Sequence, residues 1–446
     1  MGKIQFLVFL GQTEKDGCTR PFLDWSGMIT EFVLDNGLRV LHEPLPQLRT
    51  VALGLWIGTG SRHEVEQDKG LSHCLEHMLF KGTAHRTAAG IAREIDRLGG
   101  QINAFTAKDC TCFHTKTLGE DLSQAMDIIA DMALRPLLQA DHLALEKQVI
   151  MEEIGMVEDY PEELVHDILT EGTWAGHPLA LPILGTKESV SAFTADQLNR
   201  FHKERYVPGN AVLSVAGDID AGRLQACAVQ CFGGWAAVGT AAVLSAQPVF
   251  RQSFTLQRKK TEQAHLCLAF PGVSLDEEDV WPIMVLNNVL GGGMGSRLFQ
   301  RIREELGLVY SVYSFPTSYQ DGGLFSVYAA ATPRKVREVL KRMAEEIGRL
   351  ASNSLPEEEF ARAKQQLRGS FLMGLDSTNG HMMAMGRNRI ISGRIQQVEE
   401  ALAAIDRVAP EHVQAVSRRV FLSKTTGFAA VGNVKLTEDV LRDFSF

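Results

Sequence analysis

Along this chain the spacing of apolar and polar positions alternates between the period of strands and that of helices. Residues 29–34 and 38–43 flank Asp35-Asn36-Gly37, a strong hairpin signal. An apolar run at 51–57 ending in Gly58-Thr59-Gly60 reads as a further strand. From Leu71 the period becomes helical, with Leu71, Leu75, Met78 and Leu79 as the apolar positions, Ser72 as the N-cap and Gly82 as the stop. A second helix spans 87–98 between Thr87 and Gly99-Gly100; strands at 101–107 and 110–118 follow, and 121–134 is helical up to Arg135-Pro136. Leu143, Val149, Ile150, Ile154 and Val157 make an apolar stripe on a long helix at 141–157, and Pro161 opens the next one. After the Pro/Gly-rich loop 176–185, a helix starting near Thr194 leads to a strand at 211–216.

The second half repeats this plan. Residues 210–218 resemble 425–433 with Gly217 on Gly432, an offset of 215 that also carries the helix start at Thr194 onto Ala409. The strand at 53–58 matches 267–272 at an offset of 214. Three matches in register indicate a duplicated domain. Hairpin-linked strands preceding helix pairs predict an α+β fold: two homologous domains, each a largely antiparallel sheet with helices packed on one face, closing as a clamshell around a cleft. The expected division is an N-terminal extension at 1–27, disordered or a start-site error, domains at 28–235 and 251–446, and a linker at 236–250 rich in Ala, Gly, Ser and Pro.

Composition narrows the function classes. Of 446 residues, 45% are apolar and 22% charged, as in an ordinary soluble globular protein. A net charge of −9 with no basic run argues against nucleic acid or an anionic membrane as partner. The apolar stretch 4–10 is too short to span a membrane, and no signal peptide follows from it. Seven cysteines without a Cys-x-x-Cys pair suit a reducing compartment.

The chemistry is concentrated at residues 73–77, His-Cys-Leu-Glu-His. On a helix His73 and His77 stand one turn apart on one face, with Glu76 beside them. Two imidazoles so placed can share one zinc ion and leave the carboxylate free to take a proton from water, the inverted arrangement of the commoner His-Glu-x-x-His. A third ligand is required. Glu146 and Glu153 lie seven apart on the 141–157 helix, two turns along one face. The second half has no His-x-x-Glu-His and is free to bind substrate. Gly291-Gly-Gly-Met-Gly lacks the Lys-Ser/Thr that grips a phosphate and reads as a turn.

From residue 28 to its end the chain resembles the metallopeptidases that include pitrilysin, insulin-degrading enzyme and the mitochondrial processing peptidase. Its length and layout look most like the β-subunit of the last and its bacterial counterparts. The resemblance implies one zinc ion per chain on His73, His77 and Glu153, the latter 76 residues after His77, with Glu146 supporting and Glu76 as the catalytic base. It implies that the strand Gln101-Ile-Asn-Ala-Phe-Thr, through Asn103 and Ala104, takes an extended peptide along its edge. Arg303 and Tyr310 fall on the pair that clamps substrate across the cleft, and Phe80 on an aromatic wall for the residue after the cut. Glu163 and Asp167 fall on an acidic pair that holds an arginine just upstream of it. The resemblance thus implies a zinc-dependent endopeptidase of the processing type, acting on peptides or unfolded polypeptide as a homodimer, with a heterodimer as the other arrangement. The location expected is the cytoplasm of a bacterium, or the mitochondrial matrix if the chain is eukaryotic. The alternative is a non-catalytic subunit like the respiratory core proteins of the same family, which have lost ligands or base; here all four residues stand.

Overall fold

A computed structural model describes residues 28–237 and 247–444. The expected extension at 1–27 and most of the expected linker lie outside them. Eleven strands form two sheets among the described residues. The first half supplies β1 (Thr30–Val33), β2 (Arg39–Pro44), β3 (Thr50–Ile57), β4 (Gln101–Thr106), β5 (Thr111–Leu118) and β6 (Ala211–Gly217). The second supplies β7 (Ser253–Gln257), β8 (Ala264–Pro271), β9 (Val309–Ser318), β10 (Gly323–Ala331) and β11 (Gly427–Val431). Their orders are β1-β2-β6-β3-β5-β4 and β7-β11-β8-β10-β9. Only the β2–β6 and β7–β11 pairs are parallel; the remaining neighbours run antiparallel.

Leave out β1 and the two orders superpose, with β4 and β9 as equivalent edge strands. The duplication reaches single torsions. Gly217 and Gly432 end equivalent strands with φ of 143° and 142°, a region closed to residues with a Cβ. A Cβ on Gly217 would sit 2.6 Å from Val51 Cα, and one on Gly432 3.0 Å from Ala264 Cα, so each strand end is pressed against the start of its neighbour.

Each sheet has one face on the helices of its own half. Leu75, Met78, Ile129 and Ile150 pack under the first sheet, and Val285, Leu286, Leu340 and Val416 under the second. The opposite faces are covered by exchange. The helix Pro161–Thr173 lays Leu164, Val165, Ile168 and Leu169 on Cys267, Tyr328 and Ala429 of the second sheet. In return the helix Thr378–Ser392 lays Met382 and Met385 on Ala52, Trp56 and Val212 of the first. The two helices occupy corresponding positions of the repeat, and their exchange restrains the halves from swinging apart about a linker alone.

The second helix comes close because Gly386 has no side chain: a Cβ there would overlap Trp56 Nε1 and lie 2.7 Å from Ser214 Oγ, which itself accepts the Trp56 N–H at 2.9 Å. Gly386→Val is therefore expected to destabilise the protein by about 1–3 kcal/mol through overpacking, measured as a lowered denaturant midpoint. No helix among the described residues is long and apolar enough to cross a membrane. The cysteines among them are unpaired.

Candidate metal centre

The motif forms a helix, Leu71–Leu79, whose apolar side is buried under the first sheet. Its start differs from the expected one. Ser72 is the second helical residue and the N-cap is Gly70, with φ 92° and no side chain to offer. The capping acceptors come from a distance: Glu64 Oε2 accepts the Gly70 N–H at 2.8 Å and Oε1 the Ser72 N–H at 2.6 Å. A carboxylate there satisfies two of the amides every helix start leaves unpaired and complements the dipole.

One turn in, His73 and His77 face the long helix Ala140–Asp159, which delivers Glu146 and Glu153 two turns apart. Nitrogen or oxygen atoms of His73, His77 and Glu153 lie within 4.8 Å of one another. His73 Nε2 is 3.7 Å and His77 Nε2 3.5 Å from Glu153 Oε2. Hydrogen bonds between such groups would close to about 2.7–3.2 Å. Donors each about 2.0–2.1 Å from one tetrahedral ion stand roughly 3.4 Å apart. The observed gaps therefore fit a small cation shared by the three groups better than a hydrogen-bonded cluster.

Two further features suit that chemistry. His77 Nδ1 lies 3.2 Å from Glu146 Oε2, a bond that orients the ring with Nε2 towards the shared point. Glu146 is itself buried and held by Lys81 Nζ at 2.7 Å. Burial, reinforced by the neighbouring His77, lowers the His73 imidazole to about 4, so that it is neutral and able to donate a lone pair at pH 7. Glu76, 9% exposed, accepts a 2.5 Å hydrogen bond from Thr106 Oγ1 on Oε2. Burial raises its carboxyl above the ordinary range and Glu153 adds to this, against the opposing Thr106 bond and His77.

Thr106 belongs to β4, whose outer side has no strand partner among the described residues. The Ala104 N–H points to that side, where it donates to Asn103 Oδ1 at 2.9 Å rather than to a strand. Phe80 caps the motif helix, half-buried and 6.3 Å from the Phe113 ring. Glu163 and Asp167 both project from the helix Pro161–Thr173 into solvent-accessible space. Protein nonetheless surrounds Asp167 closely enough that desolvation raises its carboxyl, with Lys108 opposing and Glu163 and Glu171 adding. Arg303 and Tyr310 meet each other: the guanidinium lies 4.9 Å from the Tyr310 ring and 4.6 Å from Phe299. Tyr310 is 75% exposed, and neither residue bonds to the metal-site groups within the chain. Sequence reasoning missed Thr106, Lys81 and Glu64. Each acts across the fold, and nothing in its local spacing marks it.

Two family models match the chain, one described as Insulinase (Peptidase family M16) over residues 39–187 and one as Peptidase M16 inactive domain over residues 192–367. The chain belongs to the M16 peptidase family. The boundary between the models precedes β6, so the second M16 match begins within the half that forms the first sheet. Similar M16-length relatives include the uncharacterized zinc protease YmxG of Bacillus subtilis, 40% identical over 88% of this chain and 96% of the relative. An uncharacterized zinc protease of Rickettsia felis is 35% identical over 88% and 95%. Among solved structures, a peptidase M16 inactive domain from Pseudomonas fluorescens superposes with a TM-score of 0.85 at 23% identity, covering 92% of this chain and 99% of that one. A protease from Helicobacter pylori does so with 0.85 at 20%, covering 91% and 99%. At those identities the likeness shows the two-domain M16 fold.

Proposed function

We propose that this chain is a zinc-dependent endopeptidase of the processing-peptidase type, acting on extended peptides or unfolded polypeptide. The observation that carries this reading is the convergence of His73, His77 and Glu153 at cation-like separations beside the Glu76 carboxylate. The relatives named zinc proteases support it. His73, His77 and Glu153 would hold one zinc ion per chain, with Glu146 orienting His77. When bound, zinc supplies a Lewis acid that polarises a carbonyl and makes water a nucleophile near neutral pH. Thr106 occupies Glu76 Oε2, so Oε1 takes the proton from the attacking water and returns it to the leaving nitrogen. The raised carboxyl of Glu76 makes it a stronger base for that step.

The open edge of β4 suits an extended substrate, which would bond to the main chain around Asn103 and Ala104 as an added strand. Phe80 forms the wall for the residue after the cut. Arg303 and Tyr310 hold the substrate backbone. The chain would act as a homodimer, with the exposed Arg303–Tyr310 pair accessible to a peptide. The functional units are residues 28–235 and 251–446, and the unpaired cysteines among the described residues suit a cytoplasmic location.

Glu163 and Asp167, the latter opposed by Lys108, are offered to an arginine just upstream of the cut. Cleavage-site profiling on a peptide library, with a chelator control, tests the whole reading. Arginine enrichment upstream of the cut is expected, reduced about tenfold in Glu163→Gln. A flat profile removes the arginine pocket, and chelator-resistant cleavage removes the zinc peptidase.

A further inference from the structure

Between β3 and the motif helix the chain carries four polar residues, Ser61-Arg62-His63-Glu64, on a single 3-10 turn and its exit. Ser61, Arg62 and Glu64 are buried, and His63 is half-buried. The Arg62 side chain is 0% exposed and donates from Nη1 to Asp109 Oδ1 at 2.8 Å, and from Nη2 to both oxygens of Asp321, each at 2.8 Å. Asp109 lies in the turn joining β4 to β5, and Asp321 in the turn joining β9 to β10. One guanidinium therefore ties together the equivalent hairpins of the two halves. The backbone of the segment is fixed to the first hairpin as well, through Ser61 N to Ala107 O at 3.1 Å and Arg62 N to Lys108 O at 3.0 Å. Two residues on, Glu64, 3% exposed, makes the only side-chain cap on the motif helix recorded among the described residues.

Gly70 makes that cap possible and keeps it tight. A Cβ there would lie 2.7 Å from Leu184 O and 2.8 Å from Gly185 Cα, so the helix start is wedged between the 184–185 loop and the Glu64 carboxylate. His73 begins one residue past the second capped amide. A shift at Glu64 therefore moves the His73 ring relative to Glu153, which is anchored on another helix.

We propose that Ser61–Glu64 is a coupling segment, in which Arg62 registers the docking of the second half through Asp321 and Glu64, a positioning residue, passes that register to the metal-binding helix. The proposal rests on the metal-centre reading above and deepens it. It implies that metal affinity depends on a carboxylate in the half of the chain that supplies no ligand.

The test is Zn²⁺ affinity of the full chain by competition with a chromogenic chelator, together with the visible spectrum of the Co²⁺-substituted protein. Glu64→Gln is expected to weaken Zn²⁺ about 10-fold, at the low end of what is lost when a group that holds a ligand in place is removed, and to alter the Co²⁺ spectrum. Glu64→Asp, which keeps the charge, should recover part of the loss. Asp321→Asn should weaken Zn²⁺ by a few-fold, and its effect should shrink in the Glu64→Gln background because both act along one path, a deviation a double-mutant cycle measures. Wild-type affinity and spectrum in Glu64→Gln, or an Asp321→Asn protein with a lowered melting temperature and unchanged Zn²⁺ affinity, overturns the coupling. Should the Glu64 variants fail to fold, Asp321→Asn decides alone. A parent chain that binds neither Zn²⁺ nor Co²⁺ removes the metal centre instead, an outcome separate from the failure of the coupling.

Discussion

Glu76→Gln is expected to lower kcat for peptide hydrolysis by about 10²–10⁴-fold while zinc content and melting temperature stay near those of the parent chain. The amide is isosteric, so the Thr106 hydroxyl can still donate to the remaining oxygen and the helix packing is untouched. What disappears is the ability to accept a proton. The neighbouring His73 and His77 keep their places because neither is held by Glu76: His77 is oriented by Glu146, and His73 by its position on the helix. Turnover at the parent rate, measured with metal content matched, would exclude Glu76 as the base.

Glu153→Gln should have the larger effect on the metal itself. Among the described residues its carboxylate is the one anionic donor grouped with the two imidazoles, and its removal leaves them with an amide. Zinc affinity is expected to fall by more than about 100-fold, beyond what is lost with a group that only orients a ligand, and activity to fall with it. Glu146→Gln makes the comparison informative. It bonds to His77 and Lys81 and is not among the three groups that share the point, so its loss should stay within about 10- to 100-fold. Equal losses in the two variants would mean that Glu153 is no more a ligand than Glu146. Chelator competition gives both numbers in one assay.

Much of this is legible in the sequence, for definable reasons. The hairpin at 35–37, the Thr87 and Thr194 caps and the Pro161 helix start are local devices, and the structure has them in place: Thr87 Oγ1 accepts the Gly90 N–H and Thr194 Oγ1 the Gln197 N–H. The internal repeat was legible because equivalent glycines must adopt the same left-handed torsion at equivalent strand ends. The Ser72 cap was misread because a hydroxyl near a helix start is only one way to satisfy its amides. The fold supplies Glu64 instead, six residues upstream of Gly70, and no periodicity signals that. Nor does anything local in 161–173 or 378–392 say that these helices serve the sheet of the opposite half; each buries a stripe of side chains, and a buried stripe does not name what covers it.

By itself the sequence determined which residue types stand at helical spacing, where locally capped or proline-started elements begin, and that the plan occurs twice, since these follow from side-chain period and backbone torsion within a few residues. Tertiary structure alone decided that Glu153 meets two imidazoles from another helix, that Thr106 and Glu146 orient the groups around them, and that Arg62 joins one half to the other. Such contacts depend on how helices cross and sheets stack over tens of residues, and the free energy that selects them is spread over the whole core.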